Sequence, residues 1–419
     1  MATRTRKQIS VLAVSTLGFT ICFMVWMMFG VIGIPIKTEL GLNATEFGIL
    51  TATPVLTGSL FRVPLGMWTD KFGGRIVFMG TLLVPVIPIW LVGHATEYWQ
   101  FLVLGLFVGI AGASFSVGTP YVARWFTRGR QGFAMGIFGA GNAGAALNKF
   151  VAPAVLVAYG WTAVPDVYAL SMFVMAIVFW MFSYDEPTHR VHASITWRQQ
   201  LAALKDPNVW KLSQYYSIVF GGYVALALWM TQYYVGEYGL DIRVAALLAA
   251  AFSLPGGVLR AFGGWLSDKY SAHTVTWWVM WVSWICLFIL SYPQTEFTIN
   301  TVNGPKSFHL GLNVWVFTIL MFVIGMAWAF GKASVFKYIS NEYPHNIGVI
   351  SGIVGLAGGM GGFILPIMFG ALVDLTGIRS SCFMLMYGVI WVSLIWMYFT
   401  EVRRTEVIGS RASAFKLKG

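Results

Sequence analysis

Long apolar runs separated by short polar turns make up almost the whole chain. An α-helix crosses the hydrocarbon core of a bilayer in about 20 largely apolar residues. Runs of that length lie near 10–36, 45–68, 74–92, 97–121, 132–159, 163–183, 209–236, 243–266, 274–292, 312–337, 347–374 and 379–400. The pattern predicts twelve membrane-spanning helices. The longest polar interval is 184–208, and it divides the series into an N-terminal half, 1–183, and a C-terminal half, 209–419, of six helices each. The basic stretch Met1 to Lys7 leads directly into an apolar run longer than a signal-peptide core, and no small-residue cleavage pattern follows. It therefore reads as the start of the first span.

Composition agrees with lipid as the main solvent. Hydrophobic residues make up 58% of the chain, charged residues 10%, and the mean hydropathy is +0.72. A soluble domain carries about 25% charged residues, so one is excluded. The net charge of +11 raises the question of a nucleic-acid partner. Such a partner needs a continuous basic face, whereas these charges sit in short clusters between apolar runs. With both termini inside, 19 Lys and Arg fall in the inner segments and 4 in the outer ones, a positive-inside distribution that a missed helix would scramble. Cys22, Cys286 and Cys382 lie within apolar runs and read as small hydrophobes. The His residues fall in or beside loops without metal spacing, and no nucleophile or acid–base pair lies within a span. No enzyme, cofactor or metal centre is expected.

A repeat relates the two halves. Leu60–Phe72 (LFRVPLGMWTDKF) returns as Val258–Tyr270 (VLRAFGGWLSDKY), matching Arg62 with Arg260, Gly66 with Gly264, Asp70 with Asp268 and Lys71 with Lys269 at an offset of 198. Gly132, Gly136 and Gly139 match Gly348, Gly352 and Gly355 at an offset of 216, the difference falling largely in an outer loop around 295–309. Duplicated six-helix halves resemble the major facilitator fold: an all-α membrane protein of twelve helices in two pseudo-symmetric halves. The segment Gly66 to Arg75 is similar to that fold's cytoplasmic G-x3-D-x-x-G-x-R signature, and the second copy keeps Asp268. Asp70, Arg75 and Asp268 are therefore expected to gate the bundle ends.

Four cations remain inside spans: Arg62, Lys149, Arg260 and Lys332, with no Asp or Glu comparably deep. Each costs at least about 2.5–3.5 kcal/mol at the bilayer centre. Unpaired cations in one bundle call for an anion brought in from outside. Snorkelling towards the interface or bonding to backbone carbonyls is the competing account, and it suits Lys332 better than the repeat-related arginines. Two guanidinium forks can hold a flat oxyanion by paired hydrogen bonds, a shape selection that lysine lacks. The runs 132–153 and 348–366 are dense in glycine, which allows close helix approach, and Asn142 adds a buried amide able to bond the anion.

Along essentially its whole length the chain resembles the nitrate/nitrite porter family of the major facilitator superfamily. The resemblance rests on the arginines of spans two and eight and on the glycine signatures of spans five and eleven. It implies that Arg62 and Arg260 clamp nitrate or nitrite. It also carries the family's span-five signature onto Gly139, Gly141, Asn142 and Gly144, and its span-eleven signature onto Gly355, Gly358, Gly359, Gly361 and Gly362. Tyr216 and Phe220, one turn apart in span seven, are its expected aromatic lining, with Phe115 in span four and Phe23 in span one. The family includes proton symporters and nitrate/nitrite exchangers. Lys149 and Lys332 are the candidates for holding a proton, because a neutral amine tolerates apolar surroundings better than an ammonium. They favour nitrate/proton symport; nitrate/nitrite antiport, or carriage of another small anion such as a carboxylate, is the alternative. The expected setting is a monomer in a bacterial inner membrane with both termini cytoplasmic.

Overall fold

A computed structural model describes residues 2–186, 202–343 and 347–402. Most of the expected central loop, with Arg190 and Arg198, and the basic segment after Val402 lie outside the described residues. The helices are α1 (Thr5–Leu40), α2 (Ala44–Leu60), α3 (Arg62–Phe72), α4 (Gly74–Val92), α5 (Tyr98–Ala123), α6 (Arg128–Gly139), α7 (Gly144–Tyr159) and α8 (Ala163–Phe182). They continue with α9 (Pro207–Tyr238), α10 (Ile242–Val258), α11 (Arg260–Tyr270), α12 (Ala272–Leu290), α13 (Val314–Glu342), α14 (Ile347–Thr376) and α15 (Ser381–Glu401).

Helix covers each of the expected runs. Among the described residues, nine helices are long and apolar enough to span a bilayer, and ten if α10 and α11 count as one bent span. The shortfall from twelve comes from interruptions: α2 and α7 have 17 and 16 residues, and each is cut off from its neighbour, α3 or α6, near an expected site residue.

Burial sorts the helices by position. The best window of α9 is 89% buried and that of α1 78%, against 39% for α4 and α15, so α1 and α9 sit inside the bundle and the others show a face to lipid. Large apolar side chains left on the outside, such as Trp68, Ile87, Trp180 and Phe288, mark that lipid-facing surface.

The two halves meet where α2 crosses α14 and α7 crosses α10. At the end of the bundle that carries residues 40–44, the approach is backbone to backbone. A Cβ on Gly370 would lie 2.1 Å from the Ala44 carbonyl oxygen, and one on Gly48 would lie 2.4 Å from that of Pro366. Asp374 of α14 closes this end by accepting from the Ala44 and Thr45 amides at 3.0 and 2.7 Å and from the Thr45 hydroxyl. These are the orphan donors of a helix N-terminus, and a carboxylate from the other half satisfies them.

The opposite end is organised differently. Asp70 pairs with Arg124, which also holds Glu186 at 2.8 Å, and Arg75 bonds the Trp180 carbonyl at 2.9 Å and the Ser183 hydroxyl at 3.0 Å. Asp268 pairs with Lys337 at 2.6 Å. Asp70 and Arg75 thus fasten helix ends before the long polar interval, and Asp268 fastens α11 to α13 after it.

The segment expected to be a long loop around 295–309 is a β-hairpin. Strand β1 (Thr295–Thr301) pairs antiparallel with β2 (Gly304–Leu310) through a turn at Val302 and Asn303, with Gly304 at φ +96°. The signal was present in the Asn303-Gly304 pair flanked by alternating residues, a recognised hairpin pattern.

Candidate functional site

Five helix interruptions gather around the two intramembrane arginines. Phe61 separates α2 from α3, and Leu259 separates α10 from α11 with a 50° bend. Short 3-10 turns interrupt α5 at Gly109–Ala113 and separate α6 from α7 at Ala140–Ala143. A π-helical turn, Ser217–Gly222, lies within α9. Irregular backbone at membrane depth is tolerated where protein or a cavity surrounds it, and π-turns frequently mark functional positions.

Arg62 and Arg260 are each the first residue after a break. The Arg62 guanidinium lies 4.8 Å from the Phe220 ring centre and 5.9 Å from that of Trp26. Its Nη1 donates to the Gly355 carbonyl at 3.1 Å, while its buried Nε has no partner. The Arg260 guanidinium lies 5.1 Å from the Phe115 ring and 5.3 Å from the Phe336 ring. Neither guanidinium pairs with a carboxylate among the described residues.

Rings connect the two cations. Tyr216 and Phe220 stack with centres 5.1 Å apart and planes 7° from parallel, and Phe336 meets Tyr216 edge-on at 5.1 Å. The contacts run from Arg62 through Phe220, Tyr216 and Phe336 to Arg260 and Phe115. Three of the four expected aromatics therefore lie along this run of contacts. The fourth, Phe23, joins it from the side, edge-on against Trp26 and against Phe19, which in turn contacts Phe115. Sequence reading missed Trp26 and Phe336. Phe336 lies one turn beyond Lys332 on α13, a spacing that could have revealed it.

The expected glycines separate into two roles. A Cβ on Gly358 would come within 2.4 Å of the Tyr216 ring, so this glycine makes the seat for a site aromatic. Gly141 abuts the Phe19 ring at 2.3 Å, Gly144 the Thr20 carbonyl at 2.2 Å, and Gly359 the Ser59 hydroxyl at 2.0 Å, all measured from a would-be Cβ. These three set the approach of neighbouring helices. Asn142 is buried and gives one amide hydrogen to the Gly139 carbonyl at 2.8 Å.

Both lysines are buried and bonded to backbone. Lys149 Nζ donates to the Ala227 carbonyl at 2.7 Å, joining α7 of one half to α9 of the other. Lys332 Nζ donates to the Gly256 carbonyl at 2.6 Å and lies 3.5 Å from the Tyr223 ring centre. The carbonyl-bonding account thus describes both lysines. A polar cluster not foreseen gathers on Glu401, which binds Lys211 at 2.7 Å and also His273 and Tyr338, tying α15 to α9, α12 and α13. No grouping of His, Cys, Asp and Glu suited to a metal occurs among the described residues.

Comparison with known proteins identifies the family. The family profile described as Major Facilitator Superfamily matches residues 14–366. The chain is 36% identical to the probable nitrate/nitrite antiporter NarK1 of Thermus thermophilus, covering 98% of this chain and 96% of that one. It is 30% identical to the nitrite extrusion protein of Bacillus subtilis, over 94% and 96% of the two chains. It is 29% identical to the probable nitrate/nitrite transporter NarK2 of Mycobacterium tuberculosis, over 97% and 100%. Among solved structures, a bacterial homologue of the human lysosomal transporter Spinster, inward-facing and occupied, superposes with a TM-score of 0.68 at 16% identity, over 94% of this chain and 96% of that one. That likeness concerns the fold alone. On profile, coverage and identity together, this multi-pass membrane protein belongs to the nitrate/nitrite porter family of the major facilitator superfamily.

Proposed function

We propose that the chain carries nitrate, with nitrite as a second substrate, across a bacterial inner membrane by alternating access, and that proton symport drives it. The observation that carries the reading is the pair of guanidinium groups flanked by ring faces, with no carboxylate beside them. A flat oxyanion between two planar forks gains charge neutralisation and directional hydrogen bonds together. The printed names of the relatives bring nitrate and nitrite to this reading.

In this reading twelve spans form two six-helix halves, 1–183 and 209–419, around a cytoplasmic loop at 184–208. The protein works as a monomer with both termini cytoplasmic, and the Asp374-sealed end faces outward. The anion rests between Arg62 and Arg260, with Tyr216, Phe220, Phe115 and Asn142 around it. Gly358 seats Tyr216, while Gly141, Gly144 and Gly359 let the surrounding helices close. Asp70, Arg75 and Asp268 hold each half rigid while the halves rock. The anion relieves the repulsion between the arginines, so closure awaits substrate.

Lys149 and Lys332 are the proton-holding candidates. A second reading, nitrate/nitrite exchange, is favoured by the carbonyl bonds that occupy both lysines and needs no titrating group. Proteoliposomes free of internal nitrite separate the two. An imposed inward proton gradient is expected to drive nitrate uptake, and Lys149→Ala is expected to abolish that drive while sparing nitrate/nitrite counterflow. Uptake that ignores the gradient and starts only with nitrite inside makes the protein an exchanger. Formate and oxalate, added as competitors, should leave nitrate uptake unchanged. Gly358→Ala places a methyl against the Tyr216 ring and should raise the nitrate KM about tenfold, an overpacking cost of about 1–3 kcal/mol.

A further inference from the structure

We propose that Lys332 is a positioning residue for Arg260: it braces the bend between α10 and α11 that aims this guanidinium. The proposal rests on the reading of Arg260 as an anion ligand.

Gly256 lies in the last turn of α10, just before the break at Leu259. Carbonyls in a last turn are short of intrahelical partners and carry the negative end of the helix dipole. The Lys332 ammonium bonds one of them, the Gly256 carbonyl, at 2.6 Å. Tyr223 of α9 supplies a second grip on the same helix. Its hydroxyl donates to the Ser253 carbonyl at 2.8 Å, and its ring face lies 3.5 Å from the Lys332 ammonium. A Cβ on Gly256 would come within 2.3 Å of that ring, so the arrangement requires glycine there. Ammonium, ring and carbonyls lock together beside the 50° bend.

Lys332 is 0% exposed, so it is placed to act on the backbone and not on a passing anion. Arg260, by contrast, has no hydrogen bond or ion pair among the described residues; the ring faces of Phe115 and Phe336 flank it, and Gly139 of α6 packs against its side chain, where a Cβ would lie 3.4 Å from Cδ. Its position therefore follows from the direction in which α11 leaves the bend. Phe336 stands one turn beyond Lys332 on α13, so one face of that helix both braces the bend and backs the guanidinium. Arg62 has no such need, being tied directly to the Gly355 carbonyl. The repeat-related counterpart of Gly256 is Gly58, which packs against Trp26 and the Gly109 backbone instead of receiving a lysine.

The test uses the purified full chain in proteoliposomes, with Lys332→Met, Lys332→Arg, Arg260→Lys and the Lys332→Met/Arg260→Lys double variant. Lys332→Met is expected to raise the nitrate KM about tenfold, with Lys332→Arg recovering most of it; with Arg260→Lys already present, it should add less than about twofold. Equal effects in both backgrounds, or an unchanged KM, overturn the proposal. A nitrate KM untouched by Arg260→Lys alone sinks the anion-site reading instead. Should Lys332→Met not fold, Tyr223→Phe removes only the hydroxyl grip. It should raise KM about threefold with Arg260 present and not at all with Arg260→Lys. A threefold rise in neither background overturns the proposal equally.

Discussion

Arg62→Lys and Arg260→Lys are each expected to lower nitrate transport efficiency by about 10²- to 10³-fold while the protein still inserts and folds. Lysine keeps the positive charge, so the electrostatic draw on an anion survives. What disappears is the planar fork and its paired donors. A hydrogen bond to a charged group contributes about 1.5–3 kcal/mol, and losing one or two of them corresponds to this range. The variants are not equivalent. Arg62 also donates to Gly355 of the opposite half, so Arg62→Lys loosens a contact between the halves as well as a contact to substrate. Arg260 makes no such bond, so its replacement should act mainly through affinity. The readouts are initial uptake rates and the thermal stabilisation that nitrate confers on purified protein. Lysine variants whose uptake and nitrate-dependent stabilisation both stay within about threefold of the parent would falsify the clamp.

The sequence was most informative where chemistry is local. Runs of spanning length, the offset repeat and the cytoplasmic signature are contiguous strings, and helix occupies each of the expected runs. Arg62 and Arg260 stood out because an unpaired charge within an apolar run is costly at any packing arrangement. Tyr216 and Phe220 were visible because residues four apart share a helical face. Other features depend on distant partners. The role of Gly358 becomes clear only from the Tyr216 ring that needs its space, and that of Gly370 only from the Ala44 carbonyl. Lys149 and Lys332 read as isolated charges because their partners, Ala227 and Gly256, are backbone carbonyls, which leave no mark on a sequence. The breaks at Phe61 and Leu259 have no proline at the break itself. The Glu401 cluster joins four helices whose residues are far apart along the chain.

The halves are fastened unequally at the two ends, and this sets the second large effect. At the end bearing residues 40–44, Asp374 crosses from α14 to the first amides of α2, whereas at the other end the described ion pairs of Asp70 and Asp268 each stay within one half and that of Arg75 goes to Asp185, just beyond the N-terminal half. Opening the sealed end must break the Asp374 bonds; opening the other end need not disturb those three pairs. Loss of a capping carboxylate costs about 0.5–2 kcal/mol. Asp374→Ala should therefore shift the population towards the form open at that end, by about tenfold at 1.4 kcal/mol. Gly370→Ala should act more strongly, because its methyl would meet backbone, not a yielding side chain. Val55, buried on α2 against Gly362 of α14, reports the opening. In a Val55→Cys protein with Cys22, Cys286 and Cys382 replaced by alanine, a membrane-impermeant thiol reagent should label position 55 slowly. Labelling should rise about tenfold with Asp374→Ala, rise further with Gly370→Ala, and fall back when saturating nitrate favours closure. A labelling rate indifferent to both substitutions would mean that the seal lies elsewhere. The expected result would make the cross-half carboxylate the element whose release commits the carrier to open at that end.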